Sequence, residues 1–250
     1  MTNRLLLDSG NSRLKAAWQT DDDCHYWQPD SIETLRQTVP GQPDEIWLST
    51  VAESTEQQAL KNILTCYHPQ PIHQVRVEQY QHYLPTVYAP NQLGIDRWLA
   101  MLACQQIAPG PCLVVDCGTA ATFDQVDADG VHQGGYIVPG LTLMQKALSQ
   151  GTAIPAHQTQ QDQPHLARDT AAAIQQGTRQ ALVSLIHQMH QTMPSNTKVF
   201  ISGGGGKTLL PYLNIPHSYK PHSVLEGLAY LVHLVHSTSP NISNNSMFSR

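Results

Sequence analysis

Two aspartates carry the first chemical suggestion in this chain, because each sits in the same kind of phrase. Near the N-terminus the run is Leu5-Leu6-Leu7-Asp8-Ser9-Gly10-Asn11-Ser12, and 108 positions later it is Leu113-Val114-Val115-Asp116-Cys117-Gly118-Thr119-Ala120. An apolar strand that ends in a carboxylate and turns on glycine brings backbone N–H groups close to a phosphate. The aspartate can hold a cation or a metal-bound water beside it. Asn11, Ser12 and Lys15 beyond the first turn, and Thr119 and Thr122 beyond the second, are suitable partners for phosphate oxygens. One such turn also fits a plain surface hairpin. Two at domain spacing predict a duplicated fold that clasps one charged ligand between its halves.

A third carboxylate, Asp96, stands in Gly94-Ile95-Asp96-Arg97, where a helix is expected to begin. An anion there is stabilised by the helix N-terminus, which is reason enough for an aspartate. It could equally accept a hydroxyl proton during phosphoryl transfer, with Arg97 clamping a carboxylate in bidentate fashion. Tyr88 either lines the same pocket or packs, and Asp169-Thr170 reads as a helix N-terminus. The run Gly203-Gly204-Gly205-Gly206-Lys207-Thr208 fails as a P-loop because Ile201 stands where the first glycine belongs. A G-x-G-x-x-G frame from Gly203 fails at Thr208. What remains is a turn that lets a flat ligand such as a nucleoside approach the backbone, or a flexible turn alone.

These residues need elements to hold them. Alternation predicts strands at 4–8 and from Leu14 to Trp18, with Asp21-Asp22-Asp23 as a hairpin tip, and further strands at 45–51 and 72–77. Helices are expected at 55–64 and 94–107. The second half repeats the scheme with strands at 113–116, 122–126, 131–140 and 199–202, and a turn at Asp129-Gly130. Helices follow at 141–149, 169–190 and 224–236. The second of these carries an apolar stripe of Ile174, Ala181, Leu182, Leu185 and Met189. Residues 150–168 read as a mobile loop and 237–250 as a disordered tail.

Bulk properties narrow the classes. A chain of 250 residues with a formal charge of −5 and no Lys/Arg cluster excludes extended nucleic-acid binding. No apolar run approaches the roughly 20 residues of a membrane span, and the first residues do not resemble a signal peptide. Five cysteines (Cys24, Cys66, Cys104, Cys112, Cys117) without a C-x-x-C pair point to reduced thiols in the cytoplasm. Thirteen histidines form no H-E-x-x-H, and His187 and His190 lie on an otherwise ordinary helix, so a structural zinc site is not expected.

Four segments together resemble the type III pantothenate kinases of the acetate-kinase, sugar-kinase, heat-shock-70 and actin superfamily. They are Asp8-Ser9-Gly10-Asn11-Ser12-Arg13-Leu14-Lys15, Leu93-Gly94-Ile95-Asp96-Arg97-Trp98, Asp116-Cys117-Gly118-Thr119-Ala120-Ala121-Thr122 and Gly134-Gly135-Tyr136-Ile137-Val138-Pro139-Gly140. The resemblance spans about 4–236. It implies an α/β fold of duplicated actin-like (ribonuclease-H-like) halves, mixed sheets flanked by helices, divided at about 1–110 and 111–236. It also implies ATP-dependent phosphorylation of pantothenate, the first step towards coenzyme A. By the same resemblance Asp8 to Lys15 form the first ATP-phosphate loop, with Asp8 serving magnesium, and Thr119 is a second phosphate contact. Asp116 is implied to bind potassium or ammonium, and Asp96 to act as general base within a pantothenate-holding stretch Gly94, Ile95, Asp96 and Arg97. Tyr88 and Thr170 are implied further pantothenate contacts, Thr170 reaching the neighbouring site of a homodimer, and Gly203 and Gly204 lie by the adenosine. Departures are Ser12 for a more usual threonine and Asp169 before Thr170.

Overall fold

The computed structural model describes residues 2–10, 13–50, 58, 60–62, 64–65, 72–151 and 166–238. Asn11, Ser12, Cys66, most of the expected loop at 150–168 and nearly all of the expected tail lie outside the described residues.

Two five-stranded sheets carry the fold. The first contains β1 (Arg4–Ser9), β2 (Leu14–Gln19), β3 (Cys24–Trp27), β4 (Glu45–Thr50) and β5 (Ile72–Gln74), in the order β3-β2-β1-β4-β5. The second contains β6 (Cys112–Cys117), β7 (Ala120–Val126), β8 (His132–Pro139), β9 (Lys198–Ser202) and β10 (Ser218–Tyr219), in the order β8-β7-β6-β9-β10. The pairing repeats as well. In each sheet three antiparallel strands are followed by two joined in parallel to the first. β1 and β6, the strands bearing the two aspartates, therefore occupy the same central place. This is a duplicated actin-like architecture.

The helices are α1 (Ile32–Thr38), α2 (Val77–Tyr80), α3 (Ile95–Ile107), α4 (Leu141–Gly151), α5 (Thr170–Gln191), α6 (Gly206–Leu209) and α7 (Ser223–Thr238). Residues 58, 60–62, 64 and 65 are also helical. Central strands buried on both faces read as continuous apolar runs, and their alternate residues go to different cores. Leu6 joins a central core with Trp98, Leu99, Val114, Phe200 and Leu225. Leu5 and Leu7 face outward to Leu35, Ile46, Leu48, Leu60 and Leu64. Leu113 and Val115 face outward to Leu182, Val183 and Ile186 of α5.

α3 and α7 share the central core, and their approach depends on one glycine. A Cβ at Gly227 would lie 1.9 Å from the Leu99 carbonyl oxygen. The strand expected at 72–77 is shorter, because pairing ends at Gln74 and Val77 already opens α2. There the Arg76 N–H donates to Gln79 Oε1 at 3.1 Å, which turns the chain into the helix.

Candidate active site

Both Asp-x-Gly turns are hairpins placed at equivalent ends of the two sheets. Asp8 lies opposite Lys15 on β2 and Ser49 on β4, and Ser49 Oγ donates to Asp8 Oδ1 at 3.3 Å. Asp116 lies opposite Thr122 on β7 and Ser202 on β9. Ser202 accepts from Ser223 Oγ at 2.9 Å, which ties it to the start of α7. The glycine N–H groups close the hairpins themselves, Gly10 onto the Arg13 carbonyl at 3.2 Å and Gly118 onto the Ala120 carbonyl at 3.0 Å. The glycines therefore shape the turns, and donors for a ligand come from the residues around them.

Asp8 is within electrostatic reach of Lys15, Asp96 and Asp116, and Asp116 of Lys15 and Asp96. Burial pushes the Asp8 carboxyl up from 3.8 to about 7; the nearby ammonium of Lys15 opposes this, and Asp96 and Asp116 add to it. Burial likewise raises Asp116, with Lys15 opposing and Asp96 reinforcing the shift. Asp96 is raised by burial too. It sits in the first turn of α3, where its Oδ1 accepts from the Arg97 N–H at 2.8 Å, and the Arg97 charge also favours the ionised form. Desolvation disfavours the ionised form of each group, and like charges add to that cost.

The glycine run after β9 closes over the second turn. Gly203 has φ +78°, and a Cβ there would lie 2.4 Å from Asp116 Oδ1. Only glycine takes this conformation without strain and leaves the carboxylate in place. The Gly205 N–H donates to the Cys117 carbonyl at 2.9 Å. From the first turn the Arg13 guanidinium reaches across, with Nη1 3.9 Å from where a Gly204 Cβ would be. Gly203 and Gly204 thus stand between the two aspartate turns.

Arg97 clamps a carboxylate in bidentate fashion, as its type allowed, but with a partner inside the chain. Its Nε donates to Asp124 Oδ2 at 3.0 Å and its Nη2 to Asp124 Oδ1 at 2.5 Å. The carboxylate it clamps is the chain's own. Asp124 also takes His132 Nε2 at 3.0 Å, and His132 Nδ1 faces Thr86 Oγ at 2.8 Å. The Tyr88 ring centroid lies 5.1 Å from that of His132 and 5.5 Å from the Arg97 guanidinium carbon, which joins Tyr88 to both.

A family model described as type III pantothenate kinase matches residues 4–192. A type III pantothenate kinase of Thiobacillus denitrificans is 32% identical over 237 residues, 90% of this chain and 94% of the relative. One from Halorhodospira halophila is 31% identical over 252 residues, covering 91% and 96%. The chain belongs to the type III pantothenate kinase family. Among solved structures, a conserved Baf-family protein of Campylobacter jejuni, described as a transcriptional activator, superposes with TM-score 0.63. Its identity is 24%, over 93% of this chain and 99% of that one, a likeness of fold.

Within this type III pantothenate kinase chain, Asp8, Lys15, Asp96 and Asp116 come together, and Tyr88, Arg97, Gly203 and Gly204 lie beside them as described. Ser9 and Leu14 pair across the first hairpin, and Gly94 caps α3 ahead of Ile95. Thr119 is exposed at the second turn, and its carbonyl accepts from the Gly140 N–H at 2.9 Å. Thr170 stands exposed at the start of α5, whose cap is Asp169, accepting from the Ala172 N–H at 2.8 Å. That helix packs against the outer face of the second sheet. Leu182 and Met189 of the apolar stripe are buried there with Val183 and Ile186, and Leu185 packs beside them, whereas Ala181 is exposed.

Sequence reading passed over Asp124 and His132. A signal for Asp124 existed, since an aspartate within an apolar strand needs a partner. Nothing distinguished His132 from the other histidines. The Gly134-Gly135 pair marks the same place, because a Cβ at Gly135 would lie 2.9 Å from Asp124 Oδ1, and Gly134 borders Tyr88.

Proposed function

We propose that this protein transfers the γ-phosphoryl group of ATP to the primary hydroxyl of pantothenate, with Asp96 as general base. The observation that supports this most is the convergence of Lys15, Asp96 and Asp116 on Asp8, in a chain of the type III pantothenate kinase family. Phosphoryl transfer asks the protein for positioning and charge more than for covalent chemistry. The two hairpin turns and Lys15 bind the triphosphate, the first through Ser9 to Lys15 and the second through Thr119. Gly203 and Gly204 border the adenosine. Asp96 accepts the proton of the attacking hydroxyl as the new O–P bond forms and the bond to the departing ADP breaks. Tyr88, the Gly94–Arg97 stretch and Thr170 hold the pantothenate.

The charge balance calls for cations. Four carboxylates, Asp8, Asp96, Asp116 and Asp124, face three cationic groups, Lys15, Arg97 and Arg13, before any nucleotide arrives. A carboxylate pushed to about 7, as Asp8 is, suits a site completed by a metal ion. Asp8 would hold magnesium and Asp116 a monovalent cation, potassium or ammonium. Bound there, the ions supply positive charge against the triphosphate.

The working unit in this reading is a homodimer with Thr170 near the partner's site. Exposed apolar side chains support an interface, with Tyr136 and Ile137 on the edge strand β8 and Leu143 and Leu148 on α4. A cytoplasmic setting agrees with Cys24, Cys104, Cys112 and Cys117 being free thiols. No helix among the described residues is long and apolar enough to cross a membrane.

The decisive experiment is a coupled assay that follows ADP release by the purified protein with ATP, magnesium and pantothenate. Pantothenate-dependent turnover supports the reading, and nucleotide binding without turnover contradicts it.

A further inference from the structure

The side chains that meet Arg97 come from parts of the chain with no obvious tie to catalysis. Asp124 lies on β7 and is 1% exposed; His132 lies on β8 and is fully buried. Burial of this kind is expensive unless every polar atom finds a partner, and here the partners form a continuous chain. The Tyr88 N–H donates to Thr86 Oγ at 3.1 Å. The Asp124 carboxylate can only accept, so His132 donates to Asp124 Oδ1 from Nε2, and in that tautomer Nδ1 accepts from the Thr86 hydroxyl. Asp124 in turn holds both Nε and Nη2 of Arg97.

The backbone is fastened at the same point. The His132 N–H donates to the Pro85 carbonyl at 2.8 Å, and the Val87 N–H donates to the His132 carbonyl at 3.1 Å. The segment bearing Tyr88 is thereby strapped to β8, while the first turn of α3, bearing Asp96 and Arg97, is strapped to β7. Asp124 and His132 join the two straps. The neighbouring glycines leave room for this, since a Cβ at Gly135 would crowd both the Phe123 carbonyl and Asp124 Oδ1.

We propose that Asp124, His132 and Thr86 are positioning residues that hold Tyr88 and Arg97 for the acceptor substrate, without touching the nucleotide. Asp124 also balances the charge of Arg97, so the guanidinium is held as one half of a buried pair. This rests on the pantothenate kinase reading above.

The test is steady-state kinetics with pantothenate and ATP varied separately, alongside melting temperatures, for Thr86→Val, Thr86→Ser, His132→Gln and Asp124→Asn. Valine keeps the shape of Thr86 and removes both side-chain hydrogen bonds, the one with His132 Nδ1 and the one from the Tyr88 N–H. It should raise the KM for pantothenate roughly three- to tenfold, with the KM for ATP within about twofold of the parent. Thr86→Ser restores the hydroxyl and should return pantothenate KM to the parent value. Asp124→Asn should lower kcat/KM for pantothenate by roughly thirtyfold or more, because a buried cation loses its counter-charge. His132→Gln keeps a donor for Asp124 and should fall between the two.

Equal changes in both KM values, or changes that track only the loss of melting temperature, would show a merely structural network and overturn the proposal. So would a parent-like pantothenate KM in Thr86→Val and Asp124→Asn. If Asp124→Asn does not fold, the Thr86→Val and Thr86→Ser pair decides. A parent protein that never phosphorylates pantothenate removes the kinase reading and this inference together. An active parent with indifferent variants removes this inference alone.

Discussion

Asp8 shows how one residue carries a cost that a bound cation would relieve. Burial and two neighbouring carboxylates push it from 3.8 to about 7. The folded state therefore binds this proton more tightly than the unfolded chain does. The stability associated with it is fully present below about 4 and is lost as pH rises towards 7. In the absence of nucleotide and metal, Asp8→Asn should melt at a higher temperature than the parent at pH 7.5, and the difference should vanish near pH 4. The gain is of order 1–4 kcal/mol, and activity should be lost with it. An unchanged or lower melting temperature at pH 7.5 would show that Asp8 is not strained by its surroundings. The turn residues were legible in the sequence because Asp-x-Gly after an apolar run is a local pattern. The partner of Arg97 was not, because Asp124 lies 27 residues away and meets it only through the packing of α3 on β7.

At the scale of elements, the sheet strands were readable because Leu5 to Leu7 and Leu113 to Val115 are buried on both faces and so are continuously apolar. Elements with little apolar content were not. β10 has two residues and α6 four, and both are fixed by contact with β9 rather than by any periodicity. The stripe on α5 was readable as apolar, yet periodicity cannot say whether such a face meets its own sheet or another chain. Gly227 is the element-scale feature that no pattern disclosed. Its missing Cβ lets α7 approach the Leu99 carbonyl on α3. Gly227→Ala should lower stability by about 1–3 kcal/mol, because overpacking outweighs the gain in helix propensity. Denaturant titration checks this, and a more stable variant would show that the two helices separate without penalty.

The whole molecule is two copies of one sheet topology meeting through α3 and α7, with an Asp-x-Gly turn at the equivalent end of each sheet. If the excess of carboxylates is completed by ions, the rate should depend on potassium or ammonium and be weak in sodium alone. Equal rates in the three chlorides at matched ionic strength would contradict a monovalent site at Asp116. Association is testable at the same scale. A mixture of Asp96→Asn and Thr170→Val chains, each defective alone, should recover activity through mixed dimers with about one competent site each. A fully active monomer in sedimentation, or no recovery despite proven subunit exchange, would remove the shared site and leave the chemistry untouched.

Asp96 remains the residue on which the proposed chemistry turns. Its carboxyl is held above the ordinary range by burial, so the acid limb of the rate profile should lie above pH 3.8. The most direct measurement is the turnover of ATP and pantothenate by Asp96→Asn beside the parent, with ATP binding measured on the same samples. Loss of a positioned base should lower kcat by about 10²–10⁴ while ATP affinity stays as in the parent. Turnover within a few fold of the parent would contradict the assignment of Asp96 as the base.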